Sequence, residues 1–138
     1  MKIFLDANIC LDLLDTTRPT SIKSVDWYLK HKDNQNDTFY FSGDFITTLY
    51  YVLTERKKHS PKKTLQAIDA LSCEILPHYI IHNDFTGAKS QFFDNIFNDF
   101  EDLIILNSAS RLGCKKFITN DKQLLVLNSY LDIEIATP

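Results

Sequence analysis

The feature that most constrains this chain is its alternation of short strand-like runs with helix-like runs. "KIFL" (residues 2–5) is apolar and short enough for a buried strand, and "ANICLDLLD" behind it spaces Ile9, Leu13 and Leu14 as a helix does. "SIKSVDWYLKHK" continues a helical pattern through Ile22, Val25, Trp27 and Leu29. After the polar turn "NQNDT", "FYF" is a second strand, rich in aromatics that favour sheets. "DFITTLYYVLTERKK" and "PKKTLQAIDALSC" read as helices, the second with Pro61 suited to a helix start. "EILP" gives a third strand and "NDFTGAKSQFFDNIF" a further helix. The next helix starts near Phe100, ends at Gly113 and runs into the strand "KKFIT". "LLVLN" is a short helix and "IEIA" a last strand. Such alternation predicts an α/β fold whose mostly parallel sheet is covered by helices on both faces.

At 138 residues, the chain is expected to form one domain spanning residues 1–138. Its 44% hydrophobic and 24% charged residues are those of a soluble globule. No apolar run nears the ~18 residues of a membrane span. Asp6, Asp12 and Asp15 interrupt any signal-peptide core, and three scattered cysteines do not suit a disulfide framework. A cytoplasmic protein without a membrane partner is the expectation. Gly43, Gly87 and Gly113 stand far apart, which removes the glycine-rich nucleotide cradles. The net charge of −3 decides nothing about nucleic acid, because a clustered acidic site offsets basic surface elsewhere.

In parallel α/β sheets the functional crevice lies at the carboxyl ends of the strands. Asp6 follows "KIFL" directly, and Asp121 follows "KFIT" with only Asn120 between. Asp102 lies in the first turn of the helix that leads back down into "KKFIT", so it belongs to the same sheet edge. Each acid alone also suits a helix cap: Asp6 before Ala7, Asp99 before Phe100 and Asp121 before "KQLLVL". Asp99 with Asp102 three residues on imitates a capping box. For three acids at one edge the balance turns, because close carboxylates repel and a cation relieves them. With oxygen ligands and no histidine or cysteine beside them, the suitable ions are Mg²⁺ and Mn²⁺.

The stretches "KIFLDANICLDLL", "LYYVL" and "DFEDLIILNSASRLGCKKFITND", with the chain's length, resemble a PIN domain. The resemblance is nearest to the small ribonucleases that serve as VapC-type toxins in bacterial toxin–antitoxin pairs. It implies a three-layer α/β/α fold around four to five short strands, and a metal-dependent endoribonuclease. By position, Asp6, Asp102 and Asp121 match three of the family's four acids as catalytic residues and metal ligands. Asn8, Thr119 and Asn120 match or adjoin the polar positions that support them. Thr48 stands where the family usually carries the fourth acid; Asp44, Glu101 and Asp99 are the further candidate ligands. The resemblance also implies an RNA substrate, an antitoxin partner and a homodimer.

For RNA the basic candidates are Arg56, Lys57, Lys58, His59, Lys62 and Lys63 at a helix junction, with Lys115, Lys116 and Lys122 as a smaller set. A solvated helix end explains the larger cluster as well. Helices bearing Trp27, Tyr28, Tyr50 and Tyr51 are expected to leave apolar surface for partners. Two alternatives stand beside the ribonuclease. One is a PIN-like binding module whose catalysis is weakened by Thr48. The other is a haloacid-dehalogenase-like phosphatase with Asp6 as nucleophile, for which Asn8 occupies the place of a needed second acid.

Overall fold

A computed structural model of the chain describes residues 1–138. Strand β1 (Lys2–Leu5) leads to helices α1 (Ala7–Leu14) and α2 (Ser21–His31), then to strand β2 (Thr38–Ser42). A 3₁₀ turn at Gly43–Phe45 opens α3 (Ile46–Tyr51), which winds into a π turn at Val52–Arg56. Helix α4 (Pro61–Glu74), β3 (Leu76–His78), α5 (His82–Phe93), α6 (Phe100–Leu112) and β4 (Lys116–Ile118) follow. The chain closes with α7 (Lys122–Leu125), β5 (Ser129–Tyr130) and β6 (Ile133–Ala136).

The sheet has six strands in the order β3-β2-β1-β4-β6-β5, one more than the upper expectation from the sequence. Only β5 against β6 is antiparallel. The extra strand is two residues long, below the length at which side-chain alternation can signal a strand.

Alternation along β1 divides the core. Ile3 and Leu5 face a cluster built with Ile9, Leu49, Leu53, Ile68 and Ile75 from α1, α3, the π turn, α4 and its C-cap. Phe4 faces the other way, onto Leu106, Ala109, Phe117, Leu124 and Ile133. Phe4 and Phe117 stack with ring centroids 5.6 Å apart. Both faces are therefore covered, as strands apolar on both sides require.

The order of strands fixes where a site can form. From β1 the chain builds outward through β2 to β3, then returns to β4 on the other side of β1. Leu5 pairs with Ile118 in parallel register, so the residues after these strands emerge side by side. The amide of Asp6 donates to the carbonyl of Ile118 at 3.0 Å and extends that pairing by one step.

Candidate active site

Asp6 is buried and fully engaged in hydrogen bonds. Its Oδ1 accepts from the Ala7 amide at 2.7 Å, capping α1. Its Oδ2 accepts from the Thr119 hydroxyl at 2.7 Å and from Asn8 Nδ2 at 2.8 Å. Burial pushes the Asp6 carboxyl above its ordinary value; the Thr119, Ala7 and Asn8 donors pull it down, and the charge of Asp121 adds to the rise.

Thr119 stands beside Asp6 because Ile118 stands beside Leu5. Its Oγ1 accepts from the Asp121 amide at 2.9 Å and from Asn8 Nδ2 at 3.1 Å. Asp121 in turn caps α7, accepting from the Gln123 amide at 2.8 Å. One hydroxyl thus links two of the three acids.

Asp102 arrives from the other side, on the first turn of α6. Asp99 caps that helix by accepting from the Asp102 amide at 3.2 Å. Gly113 closes it in the left-handed conformation, φ 83°. The capping is one-sided: the Asp102 carboxylate does not reach back, and its Oδ2 is buried with no hydrogen-bond donor. Burial, and then the charges of Asp99, Asp6, Asp121 and Glu101, raise the Asp102 carboxyl to about 7. The capping roles expected from the sequence are therefore present at Asp6, Asp99 and Asp121.

A cleft of about 360 Å³ lies in front of Asp6 and Asp102, which line it with Glu101, Asp44, Thr48 and Ile80, among others; Asp121 does not line it. Thr48 is an exposed wall residue there, so no charge enters from α3 at that position. Asp44 is in the cleft but engaged: its Oδ2 accepts from the Ile80 amide at 2.9 Å and from the Ser42 hydroxyl at 3.1 Å. Glu101 is exposed in the same cleft.

The donor set suits a hard divalent cation: it is all oxygen, and one buried carboxylate oxygen lacks any proton donor. No three His, Cys, Asp or Glu side chains are grouped so as to hold an ion as they stand. Asp6, Asp102 and Asp121 are the residues that would hold one, with Glu101 at hand in the cleft.

Sequence reasoning missed a second polar centre behind the first. Asp12, on α1 one turn after Asn8, is 0% exposed. Its Oδ1 accepts from Arg18 Nε at 2.7 Å and the Thr20 hydroxyl at 2.8 Å. Its Oδ2 accepts from the Ser24 hydroxyl at 2.5 Å and Asn120 Nδ2 at 2.9 Å. Removing one partner of such a buried pair costs on the order of 3–5 kcal/mol. The signal available was an acid inside the otherwise apolar "ICLDLL", a position that demands partners when buried.

The basic candidates do not gather at the cleft. Lys57 Nζ lies 3.9 Å from Asp15, and Arg56 sits over the Tyr51 ring at 5.9 Å. His59 and Lys63 line a separate pocket with Leu14 and Leu53; Lys58 and Lys62 are exposed on the same junction. The smaller set is divided. Lys122 adjoins Asp121, whereas Lys115 and Lys116 stand at the opposite end of β4, where Lys116 pairs with Glu134 at 3.6 Å. The aromatic expectation is also redistributed. Tyr28 is buried and Trp27 half-buried, while the exposed aromatics are Tyr51, Tyr79 and, on α5, Phe85, Phe92 and Phe93.

A sheet of this order, with acids at the carboxyl ends of β1 and β4 and at the start of α6, is the architecture of a PIN domain. The PIN domain family matches residues 3–128, and the chain belongs to that family. It is 32% identical over 138 residues to ribonuclease VapC1 of Aquifex aeolicus (strain VF5), an alignment covering 99% of this chain and 90% of that protein. Among solved structures it resembles VapC20 of Mycobacterium tuberculosis, a sarcin–ricin-loop-cleaving toxin, with TM-score 0.71 and 12% identity over 96% of this chain and 98% of that one. It also resembles a chain of the Rickettsia felis VapBC2 complex bound to a promoter DNA fragment, with TM-score 0.70 and 13% identity over 100% and 99% of the two chains. Nothing in the site or among these relatives favours the dehalogenase-like phosphatase: the Asn8 amide is turned inward onto Asp6 and Thr119. No helix is long and apolar enough to cross a membrane.

Proposed function

We propose that this chain is a divalent-metal-dependent endoribonuclease and the toxin of a toxin–antitoxin pair. The observation that carries the reading is Asp102. A buried carboxylate oxygen without a donor, raised by burial and by four neighbouring acids, is an arrangement that a cation stabilises. The ribonuclease relative at 32% identity supplies the reaction class.

Bound Mg²⁺ or Mn²⁺ would polarise a scissile phosphate and make water a nucleophile near neutral pH. Asp6, Asp102 and Asp121 hold the charge that recruits the ion. Asn8 and Thr119 fix the Asp6 carboxylate, and Lys122, beside Asp121, is the cation best placed to meet an RNA phosphate. The Arg56–Lys63 junction serves as a more distant electrostatic patch, and cleavage falls with added salt.

An antitoxin partner follows from the toxin reading and from relatives studied as VapBC complexes. An uncovered apolar groove of about 390 Å³ between α1, α2 and α4, lined by Leu13, Val25, Leu29 and Leu71, offers it a surface. The exposed aromatic face of α5 is assigned to a second copy of the chain.

Thr48 and the lack of a grouped ligand triad favour a second reading, a PIN module that binds RNA without cutting it. Incubating a structured RNA with the protein over a range of Mn²⁺ and Mg²⁺, with Asp6→Asn as the blank, separates the two. Metal-dependent cleavage above the blank supports the enzyme. RNA binding without cleavage in either ion supports the module.

A further inference from the structure

Asp12 has no place in the acid cleft. It is wholly buried, and the charge it carries is met by Arg18, which is 24% exposed. What it touches joins three separate parts of the chain: the α1–α2 connection through Arg18 and Thr20, α2 through Ser24, and the loop after β4 through Asn120.

The last of these links leads to the site. Asn120 points its amide at Asp12 Oδ2 and also toward the Ser24 hydroxyl at 3.3 Å. With that side chain tied, the Asn120 backbone N–H donates to Asn8 Oδ1 at 3.0 Å. A backbone N–H can only donate, so the end of Asn8 that meets it must be the oxygen. The Asn8 NH₂ is thereby turned to the opposite side, onto Asp6 Oδ2 and Thr119 Oγ1. An Asn8 amide turned the other way would set an oxygen against the Asp6 carboxylate and leave two acceptors facing each other.

We propose that Asp12 is the positioning residue of the acidic site: through Asn120 it fixes the peptide that orients Asn8, and Asn8 sets the Asp6 carboxylate. The inference rests on the metal-dependent reading for its function, but the orientation of Asn8 is a property of the metal-free protein. Outer partners of this kind hold ligands in their useful rotamer, and their loss lowers metal affinity about 10- to 100-fold. The arrangement also places the α1–α2 connection in mechanical contact with the site, since Arg18 and Thr20 share the carboxylate that holds Asn120.

The test compares wild type with Asp12→Asn and Asn120→Ala, and uses Ile68→Val as a control that loosens the core without touching the network. Asp12→Asn keeps the shape but puts an NH₂ where a donor already stands, and Asn120→Ala removes one of the four donors. Two quantities are read. The first is solvent exchange of the Asn8 side-chain NH₂ by NMR in metal-free protein. The second is the Mn²⁺ dissociation constant, from the electron paramagnetic resonance of free Mn²⁺, measured well below every melting temperature.

Both variants should expose the Asn8 NH₂ to faster exchange and weaken Mn²⁺ binding about tenfold or more, while Ile68→Val changes neither. Unchanged Asn8 exchange and unchanged Mn²⁺ affinity in the variants overturn the proposal and leave Asp12 as an anchor of the α1–α2 connection alone. If wild type binds no Mn²⁺ but Asn8 exchange still rises in the variants, the positioning inference stands and the metal-dependent reading falls. Should Asp12→Asn not fold, Asn120→Ala decides the matter by the same two readings.

Discussion

Asp102 is half-buried among acids, with its Oδ2 buried and without a hydrogen-bond donor, and this gives the pH dependence a definite sign. Burial first, then Asp99, Asp6, Asp121 and Glu101, raise its carboxyl from 3.8 to about 7. Between those values the folded protein retains a proton that the unfolded chain has released, so the stabilisation present at low pH is lost as pH rises toward 7. Metal-free wild type should therefore melt at progressively lower temperature from pH 5 to 7.5, and Asp102→Asn should show a shallower fall. Millimolar Mn²⁺ should restore the wild-type melting temperature at pH 7.5 and act little on Asp102→Asn. Parallel pH profiles for the two proteins would contradict the assignment. Thr48 leaves the cleft without a charge from α3. Of the acids that could replace the missing one, Asp44 is held by the Ile80 amide and Ser42, whereas Glu101 stands exposed in the cleft. Glu101→Gln should then weaken Mn²⁺ binding more than Asp44→Asn does, and Thr48→Glu should tighten it and raise cleavage. A site short of one carboxylate should also prefer Mn²⁺ to Mg²⁺. Unchanged Mn²⁺ affinity in both Glu101→Gln and Asp44→Asn would show that neither acid fills the gap. Asp6, Asp102 and Asp121 were legible in the sequence because strand ends and helix starts put them at one edge. Asp12 was not, since its partners Arg18, Thr20, Ser24 and Asn120 are joined only by the fold.

Two glycines set the end of α6, which carries Asp102, and its spacing from α5, for different reasons. Gly113 adopts φ 83°, and a Cβ there would meet nothing within 4 Å. The cost of Gly113→Ala is therefore the backbone penalty of the left-handed region, roughly 1–2 kcal/mol. Gly87 lies in α5, where a Cβ would come within 2.6 Å of Asn107 Oδ1 on α6. Asn107 cannot yield freely, because it bonds Gln91 Oε1 and the Leu103 carbonyl, each at 2.7 Å. Crowding of that kind costs about 1–3 kcal/mol, against about 1 kcal/mol gained from helix propensity. Chemical denaturation of both variants checks this: Gly113→Ala should lower stability with Mn²⁺ affinity intact, and Gly87→Ala should also displace α6 and weaken it. An unaltered Mn²⁺ affinity in Gly87→Ala would mean that the α5–α6 spacing does not set Asp102. The Gly113 cap was readable from the sequence, as was Pro61 at the start of α4. The π turn at Val52–Arg56 was not. "DFITTLYYVLTERKK" contains no proline or glycine to interrupt a single helix, and the widening there accompanies the burial of Leu49 and Leu53 in one core.

Across the whole molecule, the parallel sheet and the edge that bears the site followed from the alternation of runs and the acids behind them. The direction of growth from β1 did not, because strand order depends on crossovers that no local pattern encodes. Nor did the surface left for a partner. On α2, Trp27 and Tyr28 meet the Phe39 ring of β2 edge to face, whereas Ile22 is 77% exposed and Leu29 lines the open groove between α1, α2 and α4. A second open face belongs to α5 and the residues around it: Phe93 is 72% exposed, and Ile81, Phe85, Phe92 and Ile96 are also exposed. Phe85 and Phe92 each lean on Phe100, the first residue of α6, so this face backs directly onto the helix that carries Asp102. Contiguous apolar surface of this kind is characteristic of an interface. A symmetric dimer through α5 would cover these residues and brace the start of α6 from behind. Sedimentation at tens of micromolar should then find wild type as a dimer. Phe93→Glu should raise the dimer dissociation constant tenfold or more, because a charge on a buried aromatic anchor removes its contribution and adds a desolvation cost. Circular dichroism should show that the monomeric variant keeps its fold, since Phe93 lies outside both core clusters. If the dimer reading holds, the monomer should also bind Mn²⁺ more weakly, through the loosened start of α6. A wild-type monomer at these concentrations, or a Phe93→Glu dimer as tight as wild type, would place the second copy elsewhere or remove it.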